Sequence, residues 1–79
     1  MYKHKYTIML NNPEEIKRFV HQMTAMPFNI DLVSGYYVVD AKSIMGIFSL
    51  DLTKPLLVGV NTDDTGELDD ILAEYAVED

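Results

Sequence analysis

The spacing of apolar residues changes rhythm repeatedly along a chain of only 79 residues, and that changing rhythm constrains the fold more than any other feature. From Tyr2 to Leu10 the chain alternates, with Tyr6, Ile8 and Leu10 on one side and Lys5, Thr7 and Met9 on the other, the period of a strand. Asn11-Asn12-Pro13-Glu14-Glu15 then reads as a helix start. Asn12 caps, Pro13 suits the first helical position, and the two acids lie against the positive helix end. Ile16, Phe19, Val20 and Met23 form one stripe, and Pro27 bars continuation, which predicts a helix from Pro13 to Ala25. Phe28, Ile30 and Leu32 alternate as a second strand, Ser34-Gly35 turns, and Tyr36 to Ala41 returns as a third. Ser43 to Leu50 is helical again, with Ile44, Ile47 and Phe48 on one side and Ser43 as its cap. Leu56 to Val60 is strand four, Asn61 to Gly66 an acidic loop, and Leu68, Ile71, Leu72 and Tyr75 the stripe of a closing helix.

The order βαββαβα predicts an α+β open-faced sandwich: a single domain over 1–79 with a four-stranded antiparallel sheet and three helices on one face. Only the helix-covered face is expected to be apolar. A chain this short buries about 60% of its unfolded surface, so the core must be efficient. Without cysteine, disulfides, thiolate metal sites and thiol nucleophiles are excluded. The longest apolar run, Leu56 to Val60, is far below the roughly 20 residues of a membrane helix, and no signal-peptide hydrophobic region follows the basic first residues. Thirteen acids against six bases leave a net charge of −7, with eight of the acids between Asp63 and Asp79. Such a field disfavours nucleic acid and anionic lipid as partners. The expectation is a cytoplasmic protein.

Most catalytic templates are absent. His4 and His21 stand 17 apart without a second ligand at helical or turn spacing, and no H-E-x-x-H, P-loop or G-x-G-x-x-G occurs. His21 falls on the polar side of helix one, where a solvated imidazole is the ordinary reading. Glu14-Glu15 resembles a carboxylate pair, but adjacent helical positions diverge by about 100° and both suit the helix dipole. Asp63-Asp64-Thr65-Gly66-Glu67 lacks the alternating oxygens of a calcium loop. Tyr36-Tyr37 suits a strand as well as a recognition patch. No enzyme, cofactor or metal is expected. Ser43 stands apart: it opens a helix beside large apolar residues, and a phosphate there would meet free amides.

The segment Lys42-Ser43-Ile44-Met45-Gly46-Ile47-Phe48-Ser49-Leu50 closely resembles the regulatory-serine motif of HPr, in the form found in Gram-positive bacteria. HPr is the small phosphocarrier of the bacterial phosphoenolpyruvate-dependent sugar phosphotransferase system. The resemblance runs without a gap from Ile16 to Val60, and element order and length match throughout. It implies that Ser43 occupies the position phosphorylated by the ATP-dependent HPr kinase. It also implies that Ile44, Met45 and Phe48 form the patch that docks on partners, three exposed apolar side chains on a short helix.

The other half of the family signature is missing. HPr carries phosphate on the histidine of a G-[IL]-H-x-R-P-A loop, where this chain has Leu10-Asn11-Asn12-Pro13-Glu14-Glu15-Ile16, about three residues shorter. Asn12 lies nearest the lost histidine and Glu14 nearest the lost arginine. An amide does not take a phosphoryl group as imidazole does, and both acids repel a dianion. The resemblance therefore implies a chain without carrier chemistry that retains the regulatory or docking half, in carbon catabolite control. Its expected partners are the kinase and a catabolite-control transcription regulator. The alternative is an interaction module independent of phosphorylation, self-associating weakly if Tyr36, Tyr37, Met45 and Phe48 join into one exposed patch.

Overall fold

A computed structural model describes residues 2–77. The elements follow the expected order: β1 (His4–Ile8), α1 (Pro13–Thr24), β2 (Asp31–Ser34), β3 (Tyr37–Asp40), α2 (Ile44–Phe48), β4 (Leu56–Val60) and α3 (Gly66–Leu72). Several bounds are tighter than the apolar rhythm alone predicts. Phe28 and Ile30 belong to the approach to β2, and Tyr36 sits in the turn, with Gly35 at φ 61 supplying the left-handed corner. The middle helix is only the five residues Ile44–Phe48, and α3 stops at Leu72 with Tyr75 beyond it.

All strand pairings are antiparallel, in the order β1-β4-β2-β3. The register places Ile8, Val58 and Leu32 on the inner face, under the helices, and all three are fully buried. Against them pack Ile16, Phe19 and Met23 of α1, Ile47 of α2, and Leu68 and Leu72 of α3. Tyr75 remains in the core at 3% exposure, its ring edge-on to Phe19 at 5.4 Å. Its hydroxyl donates to Gln22 and accepts from Arg18 Nε at 3.1 Å, which joins the segment after α3 to α1.

The open face is less polar than expected. Thr7, Leu57, Val33 and Val38 are register neighbours across all four strands and form a continuous row on that face. Beside it runs a polar row of Lys5, Gly59, Asp31 and Asp40. Tyr2 departs from the strand pattern, because a bend at Lys3 carries it to the open face. Its ring lies so close over Gly59 that a β-carbon there would sit 2.5 Å from it, and its hydroxyl donates to Asp31 Oδ2 at 2.7 Å. A glycine inside a strand often marks such a close approach.

The two edges of the sheet differ. Along β1, residues 75–77 add a bridge: Met9 N–H donates to Tyr75 C=O at 3.0 Å and Val77 N–H to Thr7 C=O at 3.1 Å. Along β3, no strand or bridge is paired on the outer side among the described residues.

Candidate regulatory and docking site

Asp40 and Lys42 position the start of α2. Ser43 N–H donates to Asp40 C=O at 2.9 Å, Lys42 N–H donates to the Asp40 carboxylate at 2.9 Å, and the Lys42 amine reaches Met26 C=O at 2.8 Å. Ser43 has an extended backbone (φ −106, ψ 108), and its Oγ accepts from Gly46 N–H at 3.2 Å, an N-cap as expected. Gly46 has little room: a β-carbon there would lie 3.2 Å from Val39 and 3.3 Å from Ser43 Oγ. The Ser43 side chain is half-buried.

The expected docking residues are not equivalent. Met45 is 78% exposed and Phe48 46% exposed, whereas Ile44 is half-buried and packs against the core. With only five helical residues, Ile47 takes the fully buried anchor position and tilts Ile44 and Phe48 to its flanks. Ile44, Ile47 and Phe48 share one side of this short helix, as their spacing predicts, but only Ile47 is enclosed. Phe48 joins Leu52, Leu10, Asn12, Pro13 and Ile16 around a shallow cavity of about 260 Å³. The exposed end of α2 and the start of α1 thus share one surface. Tyr36 and Tyr37 line a different groove, with Ser49, Asp51 and Lys54.

The start of α1 closes on itself. Asn12 Oδ1 accepts from Glu15 N–H at 2.9 Å, while Glu15 Oε1 accepts from Asn11 N–H at 3.0 Å. This reciprocal arrangement is a near relative of the capping box. Glu14 and Glu15 set negative charge over it, and Arg18, one turn on, is drawn over the Tyr75 ring at 5.4 Å. The Arg18 guanidinium has its pKa raised by the hydrogen bond to Tyr75. His21 is exposed in the last turn of α1 and His4 lies in β1, so neither comes to the Asn12 position. Among the described residues, no group of three His, Asp or Glu side chains is placed to hold a metal ion, and no helix is long and apolar enough to cross a membrane.

Three features escaped the apolar pattern: the Tyr2–Gly59–Asp31 contact, the Arg18–Tyr75–Gln22 network and the strand-like pairing of residues 75–77. Only the first left a local signal, Gly59 within β4.

An open-faced sandwich with sheet order β1-β4-β2-β3 and three helices on one face defines a class, the small HPr-like domains. Comparison with known structures bears this out. A crystal structure of HPr-C-His from Thermoanaerobacter tengcongensis matches 90% of this chain and 88% of its own at a TM-score of 0.75 and 26% sequence identity. No protein-family model matches the chain. No curated protein matches it either. The chain thus has the HPr-like fold along nearly its whole length, with Asn12 at the loop before α1 and Ser43 at the cap of α2.

Proposed function

We propose that this protein is a cytoplasmic regulatory relative of HPr that docks on protein partners through α2 and is switched by phosphorylation of Ser43, without carrying phosphate itself. The observation that carries the reading is the exposure of Met45 and Phe48 beside a serine at the cap of α2. Two large apolar side chains in water next to a modifiable hydroxyl make a small contact surface whose charge can change. Phosphorylation of Ser43 transfers a phosphoryl group from ATP to Oγ, releasing ADP and the hydroxyl proton. The ester adds a charge of about −1.5 to −2 near neutral pH. That charge falls at the cap of α2 beside the patch, so it alters which partner surface fits there. The proposed partners are an HPr kinase and a catabolite-control transcription regulator.

The absence of carrier chemistry rests on the start of α1. Asn12 already accepts the Glu15 amide, and Glu14 and Glu15 oppose a dianion there. The test is intact mass after incubation with ATP and a Gram-positive HPr kinase, with ordinary HPr as positive control and Ser43→Ala alongside. A gain of one phosphoryl group in the parent alone supports the reading. No gain, with the kinase active on HPr, removes the switch and leaves docking through Met45 and Phe48 without phosphorylation.

A further inference from the structure

We infer that the free edge of β3 pairs antiparallel with the same strand of a second copy, joining two sheets into one of eight strands about a two-fold axis at Val38. This inference is independent of Ser43 and of its modification. Ala41 N–H donates to Ile30 C=O, and backbone direction alternates along an antiparallel strand. The N–H and C=O groups of Val38 therefore point away from β2, into solvent. Folded chains usually guard such an edge with lysine, proline or a bulge. Here the strand Tyr37-Val38-Val39-Asp40 is short and carries one charge, Asp40, at its far end, but it has no lysine, proline or bulge, and the nearest lysine, Lys42, is turned back onto Met26 C=O. The opposite edge, by contrast, is covered by residues 75–77.

One register fits a second copy of this chain best. A two-fold at Val38 lets each Val38 exchange both of its free backbone bonds with its counterpart and continues the open-face row Thr7-Leu57-Val33-Val38 into the second sheet. It places Tyr37, 72% exposed, opposite Val39 of the second copy on the helix face, an aromatic–β-branched pair of the kind that stabilises sheets. It also sets each Asp40 opposite Tyr36. Moving the axis to Val39 would press Asp40 against Val38 and call on the Asp40 carbonyl, which already accepts from Ser43 N–H. Moving it to Asp40 would oppose two carboxylates.

Five residues a side, Tyr36 to Asp40, make a small interface, so the dimer is weak. Each copy carries a net charge of −7, so the pair repels at long range and strengthens as salt screens it, the reverse of an association driven by opposite charge.

The experiment is sedimentation velocity from about 10 µM to about 1 mM, in about 20 mM and about 500 mM salt, with amide hydrogen exchange followed over the same range. The expected result is a mass that rises toward two chains, at several-fold lower concentration in the higher salt. The Val38 amide, free in the monomer, should exchange more slowly as the dimer forms. Val38→Lys, at a position 57% exposed, should stay folded by circular dichroism and remain monomeric, while Val38→Thr should still pair. A parent that remains monomeric throughout overturns the inference. So does a dimer that survives Val38→Lys or leaves Val38 exchange independent of concentration.

Discussion

The two helix starts near Phe48 use the same local solution to opposite ends. At α1, Asn12 accepts an amide three residues on; at α2, Ser43 does the same. Around Asn12 stand Glu14 and Glu15, and Glu15 reaches back to the Asn11 amide. The first turn of α2 holds no acid, and its neighbours Met45 and Phe48 are exposed. A cap alone therefore says little about function. The charge and exposure of the next few side chains decide whether a helix end is closed to an anion or open to a modification and a partner.

The comparison breaks most decisively at the anchor of α2. Ile47→Ala should cost about 2–5 kcal/mol in urea unfolding, because Ile47 is fully enclosed and cannot be replaced by Ile44 or Phe48. Met45→Ala should stay within about 0.5 kcal/mol of the parent in the same measurement while weakening partner capture, since its side chain is mostly in water. Equal losses at both sites would mean that α2 is not a rigid platform. The caps sharpen the comparison on a smaller scale. Asn12→Ala and Ser43→Ala should each cost about 1 kcal/mol, but only the second should abolish phosphorylation.

Smaller still are the pH effects. Hydrogen bonds from the Thr53 hydroxyl and amide hold the Asp51 carboxyl below its ordinary 3.8. Its contribution is present above that value and lost as pH falls through the lower folded one, so Asp51→Asn should soften the acid limb of thermal stability. Tyr2 is raised above 10.0, chiefly by its hydrogen bond to Asp31. Tyr6 is raised chiefly by burial and then by its bond to Asp69. Both contributions are present below pH 10.0 and lost as pH rises through the folded values, so Tyr6→Phe should flatten the alkaline limb. Melting temperatures from pH 3 to 11 check both signs.

Element order and sheet class were legible in the apolar rhythm because each inner-face residue recurs at the spacing of its own element. Leu32 and Val58, or Ile16, Phe19 and Met23, need no tertiary information to be placed on a face. The ends of elements were less legible. Tyr36 is β-rich yet turns, because Gly35 completes a two-residue hairpin, and Tyr2 alternates correctly yet crosses to the other face over Gly59. At the site, the Ser43 cap was legible, but the split between exposed Met45 and half-buried Ile44 depends on how five residues of helix rest on the core. The apolar row on the open face went unseen because Val33, Leu57 and Val38 come from three strands, and only register aligns them.

The pairing of β1 also has a consequence for the order in which this chain folds. Its ladder partner is β4, beginning at Leu56, and the segment on its other side begins at Tyr75. The β2–β3 hairpin, by contrast, closes across two residues. On a ribosome, β1 would wait until Tyr75 to Val77 emerge before its backbone is satisfied on both sides, while α1 and the hairpin assemble early. Contacts so distant in sequence slow folding, and an unpaired strand held in waiting is the part of a nascent chain most open to a chaperone.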